Sequence, residues 1–141
     1  MSDSEVVRRI YDAMHARDFD ALFELVDESI VITQDDRLPW GGRFEGHDGF
    51  AQFGLALTGA IDSAVTIEAI YEADGDVIQF GRTKGTTRAS GTEFDIAEMH
   101  RWTIRDGKAV TAHFSIDTPG MLEALAGSPP RSESGAGTSQ E

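Results

Sequence analysis

The residues of this chain best suited to handling a proton are Glu98, His100, His113, Ser115 and Asp117. They gather within DIAEMHRWTIRDGKAVTAHFSID, positions 95–117. Carboxylates and imidazoles act as general acids and bases, and histidine does so near neutral pH. The stretch is two alternating runs joined by Asp106-Gly107. Asp-Gly between such runs signals a hairpin, because a type I′ turn needs positive φ at both central positions. A two-residue turn sets Arg105 opposite Lys108. Counting outward then predicts Trp102 opposite Thr111, His100 opposite His113, Glu98 opposite Ser115 and Ile96 opposite Asp117. Side chains alternate faces with period two, so this whole set is expected on one side. Met99, Arg101, Val110, Phe114 and Ile116 are expected on the other.

The predicted face is mixed. Trp and Ile do not belong on a solvated surface, and so many ionisable groups do not belong in a plain core. A partly apolar pocket satisfies both. In it His100 would act as acid, base or hydrogen-bond donor to a carbonyl. The plainer alternative is a core histidine held by Glu98 or Thr83. A lone buried carboxylate is costly, so Glu98 is expected to orient His100. His113 completes a candidate catalytic trio with these two, and the same three side chains are conceivable metal ligands. Ser115 and Asp117 would face the ligand from the far end, although Asp117 before Thr118-Pro119 also reads as a helix cap.

Several elements must position these groups. Residues 4–16 read as a helix, with Val7, Ile10, Tyr11 and Met14 on one stripe at helical spacing. Asp18 is an N-cap for a second short helix over 19–26. Ser29 to Thr33 is a β-branched strand, followed by a loop from Gln34 to Gly46 with Trp40 at its centre as core residue or pocket lid. His47 to Leu57 is a third helix that turns Phe50, Phe53 and Leu57 inward, with His47-Asp48 as its cap. Strands are predicted over 64–73, 76–89, 92–105 and 108–117, the first two joined by Asp74-Gly75. A short helix covers 119–126. If Ala89 opposes Thr92, then Gln79, Gly81, Thr83 and Gly85 share the face of His100, and the two glycines leave room for a ligand. His15 lies off the apolar stripe and is expected on the surface. Asp35 and Asp36 read as solvated turn residues.

Helices first and a long antiparallel meander after them is the α+β pattern. The expectation is a cone-like α+β barrel, its N-terminal helices packed on a curved, mostly antiparallel sheet. One domain spans residues 1–126. The remainder, 127–141, is Gly-, Ser- and Pro-rich and is expected to be a disordered tail. At 141 residues and 40% hydrophobic content the chain can build a core. It has no cysteine, so disulfide and thiolate chemistry are excluded. A net charge of −13 repels phosphate backbones and argues against nucleic acid. No run of eighteen apolar residues and no signal-peptide pattern is present, so no membrane span and a cytoplasmic location are expected. Gly-rich phosphate loops, nucleophile elbows and cofactor motifs are also missing.

Three segments together resemble the SnoaL-like branch of the nuclear-transport-factor-2-like superfamily. They are VVRRIYDAMHARDFDALFELVDESIVIT, LPWGGRFEGHDGFAQF and MHRWTIRDGKAVTAHFSIDT, extending over most of residues 6–118. The resemblance implies an α+β barrel around an apolar pocket, no metal or other cofactor, and frequent dimerisation through the outer sheet face. Its members include ketosteroid isomerases, polyketide cyclases, epoxide hydrolases, dehydratases and proteins that only bind. The isomerases' general base falls nearest Gln34, with Asp35 one residue on. Their first-helix tyrosine falls nearest Ile10, with Tyr11 adjacent, and their protonated aspartate aligns with His100. Cyclases of this branch pair a pocket histidine with an acid–base group on the closing strands. His100 fits the first role; Asp117, His113 or Ser115 stands near the second. The expected function is binding of a small, largely apolar carbonyl compound, with enolate-type cyclisation, isomerisation or dehydration. The alternative is a non-catalytic binding module. Tyr11, Met14, Gln34, Trp40, Thr83, Trp102, Ser115 and Asp117 are the expected ligand contacts around Glu98, His100 and His113.

Overall fold

The computed structural model describes residues 1–127. Apart from Gly127, the expected tail lies outside the described residues. Helix α1, Asp3–Ala16, begins with a capping box in which Ser2 and Glu5 satisfy each other's backbone N–H groups. It buries Val6, Val7, Ile10, Tyr11 and Ala13 and stops at Arg17, whose φ of 55° breaks the helical run. Helix α2, Phe19–Glu24, is capped by Asp18. Strand β1, Val26–Gln34, follows at once. The expected helix continued to Val26, but Val26 pairs with Ala109, and the Ala109 N–H donates to the Leu25 carbonyl at 2.9 Å.

The predicted loop from Gln34 to Gly46 contains a short strand, β2, Gly42–Glu45, antiparallel to β1. Four residues with one apolar side chain carry too little pattern to read. That side chain, Phe44, packs against Phe53 at 5.6 Å between ring centres. Helix α3, Gly46–Ala60, sets Phe50 and Phe53 in the core and Leu57 at its edge. The remaining elements are β3 (Ile61–Ala73), β4 (Asp76–Thr87), β5 (Glu93–Arg105), β6 (Lys108–Ile116) and α4 (Thr118–Leu125). Among the described residues the strands form one sheet ordered β2-β1-β6-β5-β4-β3. Every neighbouring pair is antiparallel except β1 with β6. The helices cover its concave face. No helix among the described residues is long and apolar enough to cross a membrane.

Both Asp-Gly turns form, with positive φ at Asp74, Gly75, Asp106 and Gly107. The register beyond Asp106-Gly107 is not the one a simple hairpin predicts. Arg105 and Ile104 pair with Lys108 and Ala109, but Thr103 pairs with Thr111, leaving Val110 as an extra residue. This bulge shifts all later pairs by one: Trp102 meets Ala112, Arg101 meets His113, His100 meets Phe114 and Glu98 meets Ile116. A one-residue slip moves every side chain of β6 to the opposite face. His113 and Ser115 therefore lie on the convex side, and Phe114 and Ile116 on the concave side, the reverse of the expectation. Burial explains the preference. Ala112 (1%) and Phe114 (6%) join Trp102, Ile104 and Ile96 in the core.

Between β4 and β5 the register differs by two residues from the prediction, so the faces are kept. Gln79 pairs with His100 and Gly81 with Glu98. The glycines, however, do not hold space for a ligand. A Cβ at Gly81 would sit 2.1 Å from the Thr66 carbonyl oxygen and 2.3 Å from the Gln79 amide oxygen. Gly81 is needed because a bulge in β3, between Ile67 and Ala69, brings that strand's backbone close.

Candidate functional site

On the concave face four neighbouring strands contribute one row of side chains: Gln34, Phe114, His100 and Gln79, each paired with the next. Above this row lies a cavity of about 60 Å³. Helix α1 lends it Tyr11 and Met14, helix α3 lends Phe53 and Leu57, and α4 lends Met121. Strand β3 adds Ile61, Ser63 and Val65, and Trp40, Thr83 and Ile116 complete the wall. No carboxylate is among the lining residues.

The hydrogen bonds around Tyr11 determine the state of His100. The Trp102 indole N–H and the Gln79 amide donate to the Tyr11 hydroxyl oxygen, at 3.0 and 3.2 Å. That oxygen has two lone pairs, and both are taken. Its proton is left for His100 Nδ1, 2.7 Å away. Nδ1 is then an acceptor, and the neutral ring carries its hydrogen on Nε2. Burial, and next the charge of His113 on the adjacent strand, depress the His100 pKa from 6.5 to about 3. The ring is thus neutral across the physiological range. Its 3.5 Å approach to Glu98 Oε1 through Nε2 is the contact of a neutral imidazole, not an ion pair.

Glu98 lies behind this arrangement. Its side chain is 0% exposed, against 9% for that of His100. Thr83 donates its hydroxyl to one carboxylate oxygen, and the Gln79 amide donates to the other at 2.6 Å. Burial still raises the Glu98 pKa, and these two hydrogen bonds only moderate the rise. Burial also pushes the Tyr11 hydroxyl up, which keeps it a donor. The Gln79 amide oxygen is buried without a partner among the described residues.

A second polar pair stands at the β1 end of the row. Trp40 is 1% exposed, a cavity wall within the core and not a surface lid. Its indole N–H donates to Gln34 Oε1 at 3.0 Å. The loop that tucks Trp40 inward closes through Leu38 N–H to Asp35 O and Gly41 N–H to Leu38 O. Only glycine fits at 41, since a Cβ there would lie 1.9 Å from the Asp35 carbonyl oxygen.

Of the expected site residues, the fold brings Tyr11, Met14, Gln34, Trp40, Thr83 and His100 to the cavity. Trp102 backs it by holding Tyr11, and Glu98 backs it through Thr83 and His100. His113, Ser115 and Asp117 do not join them. The bulge at Val110 turns His113 to the convex side, where its Nδ1 meets the Thr33 hydroxyl at 2.6 Å. The trio of His100, Glu98 and His113 is therefore not assembled. Ser115 and Asp117 border a separate groove of about 410 Å³ with Asp35, Arg37 and His113. Asp117 caps α4 by accepting from Gly120 N–H at 3.1 Å. Asp35 is held by Arg37, which keeps its carboxyl near pKa 2. His47 is not the cap of α3; its Nε2–H donates to the Val26 carbonyl at 2.8 Å and ties the helix to β1. His15 is exposed, as expected.

Sequence reasoning missed Phe114 and Gln79 as site residues. Phe114 stacks on Phe53 at 5.4 Å and meets the His100 ring edge at 4.6 Å. Its signal was present: Ala112, Phe114 and Ile116 alternate with polar Thr111, His113 and Ser115. A strand with that pattern turns its apolar set toward the core. Gln79 was expected on the His100 face, but its bonds to Tyr11 and Glu98 depend on the fold that buries it.

No curated protein matches the chain. An NTF2-like protein of unknown function from Burkholderia pseudomallei K96243 superposes with a TM-score of 0.82 at 24% identity, covering 89% of this chain and 98% of the other. TerC, co-crystallised with polyporic acid, superposes with a TM-score of 0.79 at 22% identity, covering 86% and 96%. A putative SnoaL-like polyketide cyclase from Jannaschia sp. CCS1 gives 0.78 at 19%, covering 89% and 92%. At these identities the likeness is one of fold. The model of the SnoaL-like domain matches residues 7–112, most of the described chain. With the cone of helices on a curved sheet, that match makes this chain a member of the SnoaL-like family within the NTF2-like superfamily.

Proposed function

We propose that the cavity binds a small, largely apolar carbonyl compound and that His100 polarises its oxygen. The observation that carries this reading is the Tyr11–His100 hydrogen bond beneath an apolar cavity. It leaves Nε2–H, 3.5 Å from Glu98 Oε1, as the imidazole's remaining donor. A neutral imidazole N–H in a dry site stabilises developing charge on a carbonyl oxygen as the α-proton leaves, the step that begins enolate-type isomerisation, cyclisation or dehydration. Tyr11 touches the cavity and steadies the ring; Glu98, sealed behind it, acts through His100 and not on the ligand. No lining residue carries a carboxylate, so the α-proton must leave to a base from solvent, such as hydroxide or buffer, once the cavity opens.

That same lack of a lining carboxylate favours a second reading, a binding module without turnover. The neighbours' descriptions, a putative cyclase and a protein crystallised with polyporic acid, support a small organic ligand under either reading. The cavity's 60 Å³ is below the roughly 150 Å³ that accepts a benzene ring. Entry therefore requires side chains to move, and the flexible Met14 and Met121 in its wall are suited to that.

The test is α-proton exchange of small cyclic and aryl ketones in deuterated water, followed by proton NMR. The catalytic reading expects the protein to accelerate exchange and His100→Gln to lower that rate by about 10²-fold or more. Binding without exchange would establish the module instead. A homodimer through the convex sheet face belongs to the same proposal. Tyr71 (58%), Phe80 (41%) and Met99 (37%) are exposed there, and the Tyr71 and Phe80 rings meet at 6.0 Å.

A further inference from the structure

We infer that Gln34 is a second ligand-facing donor, and that the cavity selects single-ring compounds with acceptor oxygens on opposite edges. The inference rests on the reading of His100 as the first donor.

The orientation of the Gln34 amide follows from chemistry. An indole N–H only donates, so the Gln34 atom 3.0 Å from Trp40 Nε1 is the carbonyl oxygen. The NH₂ limb then points the other way. Gln34 is 8% exposed, lines the cavity, and its nitrogen has no partner among the described residues. The amide nitrogen is not among the buried atoms left without a partner, so it is reached from the cavity, and a ligand acceptor would satisfy it. Because Trp40 is fully packed and its loop is closed on itself, the amide cannot flip without losing that bond.

The spacing of the two donors follows from the sheet. Gln34 pairs with Phe114, and Phe114 pairs with His100, so the donors flank Phe114 on the concave face. Two strand spacings set their backbones roughly 10 Å apart. The Phe114 ring lies between them, and Phe53 stacks on it. A flat or puckered ring admitted against the edge of the Phe53–Phe114 pair would present one oxygen to His100 Nε2–H and the other to Gln34 Nε2–H. With no charged lining residue and a chain of net charge −13, the ligand is neutral and not anionic. Neutral dicarbonyls and hydroxyketones on one ring are the class that fits.

The matched probes are cyclohexane-1,4-dione and cyclohexanone, which differ by the second carbonyl. Both tryptophans of the chain, Trp40 and Trp102, stand at the site, so intrinsic fluorescence reads binding directly. Wild-type protein should bind the dione roughly tenfold more tightly than the monoketone, the worth of one hydrogen bond. Gln34→Glu keeps the acceptor for Trp40 and removes the donor, and should bring the affinity ratio close to one. Gln34→Leu should do the same, with circular dichroism confirming the fold of each variant. No preference in the wild type, a preference that survives both substitutions, or no binding of either probe overturns the inference. His100→Gln separates the two claims. If it spares monoketone binding while Gln34→Glu still abolishes the dione preference, the His100 reading fails and the Gln34 donor stands.

Discussion

His100 and His113 lie on adjacent strands of one hairpin and face opposite ways. His100 is 7% exposed, on the concave side, its Nδ1 accepting a hydrogen bond from the Tyr11 hydroxyl and its pKa depressed to about 3. His113 is half-buried on the convex side, opposite Arg101, with the Thr33 hydroxyl for a partner. The residue type and the local hairpin are the same. The surroundings decide which imidazole is sealed with a tyrosine and which sits beside a polar groove, and one bulged residue, Val110, decides the surroundings. A histidine's chemistry in this fold is thus set by register before it is set by sequence.

The contrast is sharpest at Phe114, the residue that holds the place His113 was expected to take. Phe114→Ala should destabilise by about 3–5 kcal/mol. His113→Ala, losing one hydrogen bond, should cost about 0.5–1.5 kcal/mol. Urea unfolding measures both, and equal costs would contradict the assigned faces. Next in size is Tyr11→Phe. It leaves the Trp102 indole and the Gln79 amide without their acceptor, at roughly 1–3 kcal/mol for each buried group. The parallel change on the convex side, Thr33→Val, should cost less, and thermal melts would rank the pair.

Acid probes the buried histidine through the slope of stability with pH. His100 has a lower pKa folded than unfolded, so between about 3 and 6.5 the unfolded chain binds the extra proton. Its contribution is whole above 6.5 and is lost as pH falls toward 3. Glu98 works the other way, its raised pKa weakening the fold as pH climbs above 4.5. His100→Gln should flatten the loss of stability between pH 6.5 and 3. Denaturant midpoints across the range test this. The smallest effect on stability is expected from Phe80→Glu, within about 0.5 kcal/mol for an exposed site. It should nevertheless convert a dimer to monomers by sedimentation, leaving probe binding in the cavity intact.

Much of the fold was legible because its signals are local. The stripe Val7, Ile10, Tyr11 and the inward set Phe50, Phe53, Leu57 are helical periodicities, and both Asp-Gly turns formed as expected. The bulge at Val110 was not read because the turn rule fixes only the first pairs of a hairpin. Beyond them, β6 must also meet β1 across the Val26–Ala109 pairing, a demand that comes from a distant part of the chain. The same distance hid β2. The cavity residues Tyr11, Gln34, Trp40, Thr83 and His100 were legible as types at positions. What was not legible is who donates to whom. The state of His100 depends on Trp102 and Gln79 both reaching one hydroxyl oxygen, and no spacing in the sequence encodes that convergence.

The parallel pairing of β1 with β6 also sets an order of assembly. The meander from β3 to β6 joins each strand to its neighbour through short turns or a brief connection, so its contacts are made cheaply and early. The β1–β6 ladder instead links distant residues such as Thr33 and His113, 80 positions apart along the chain. Closing so long a span carries a larger entropic cost before any contact rewards it. Gln34 and Trp40 travel with β1, whereas His100 and Thr83 belong to the meander. The two walls of the cavity are thus expected to form separately and meet late, and pulse-labelled hydrogen exchange should find β1 protected after β4 and β5.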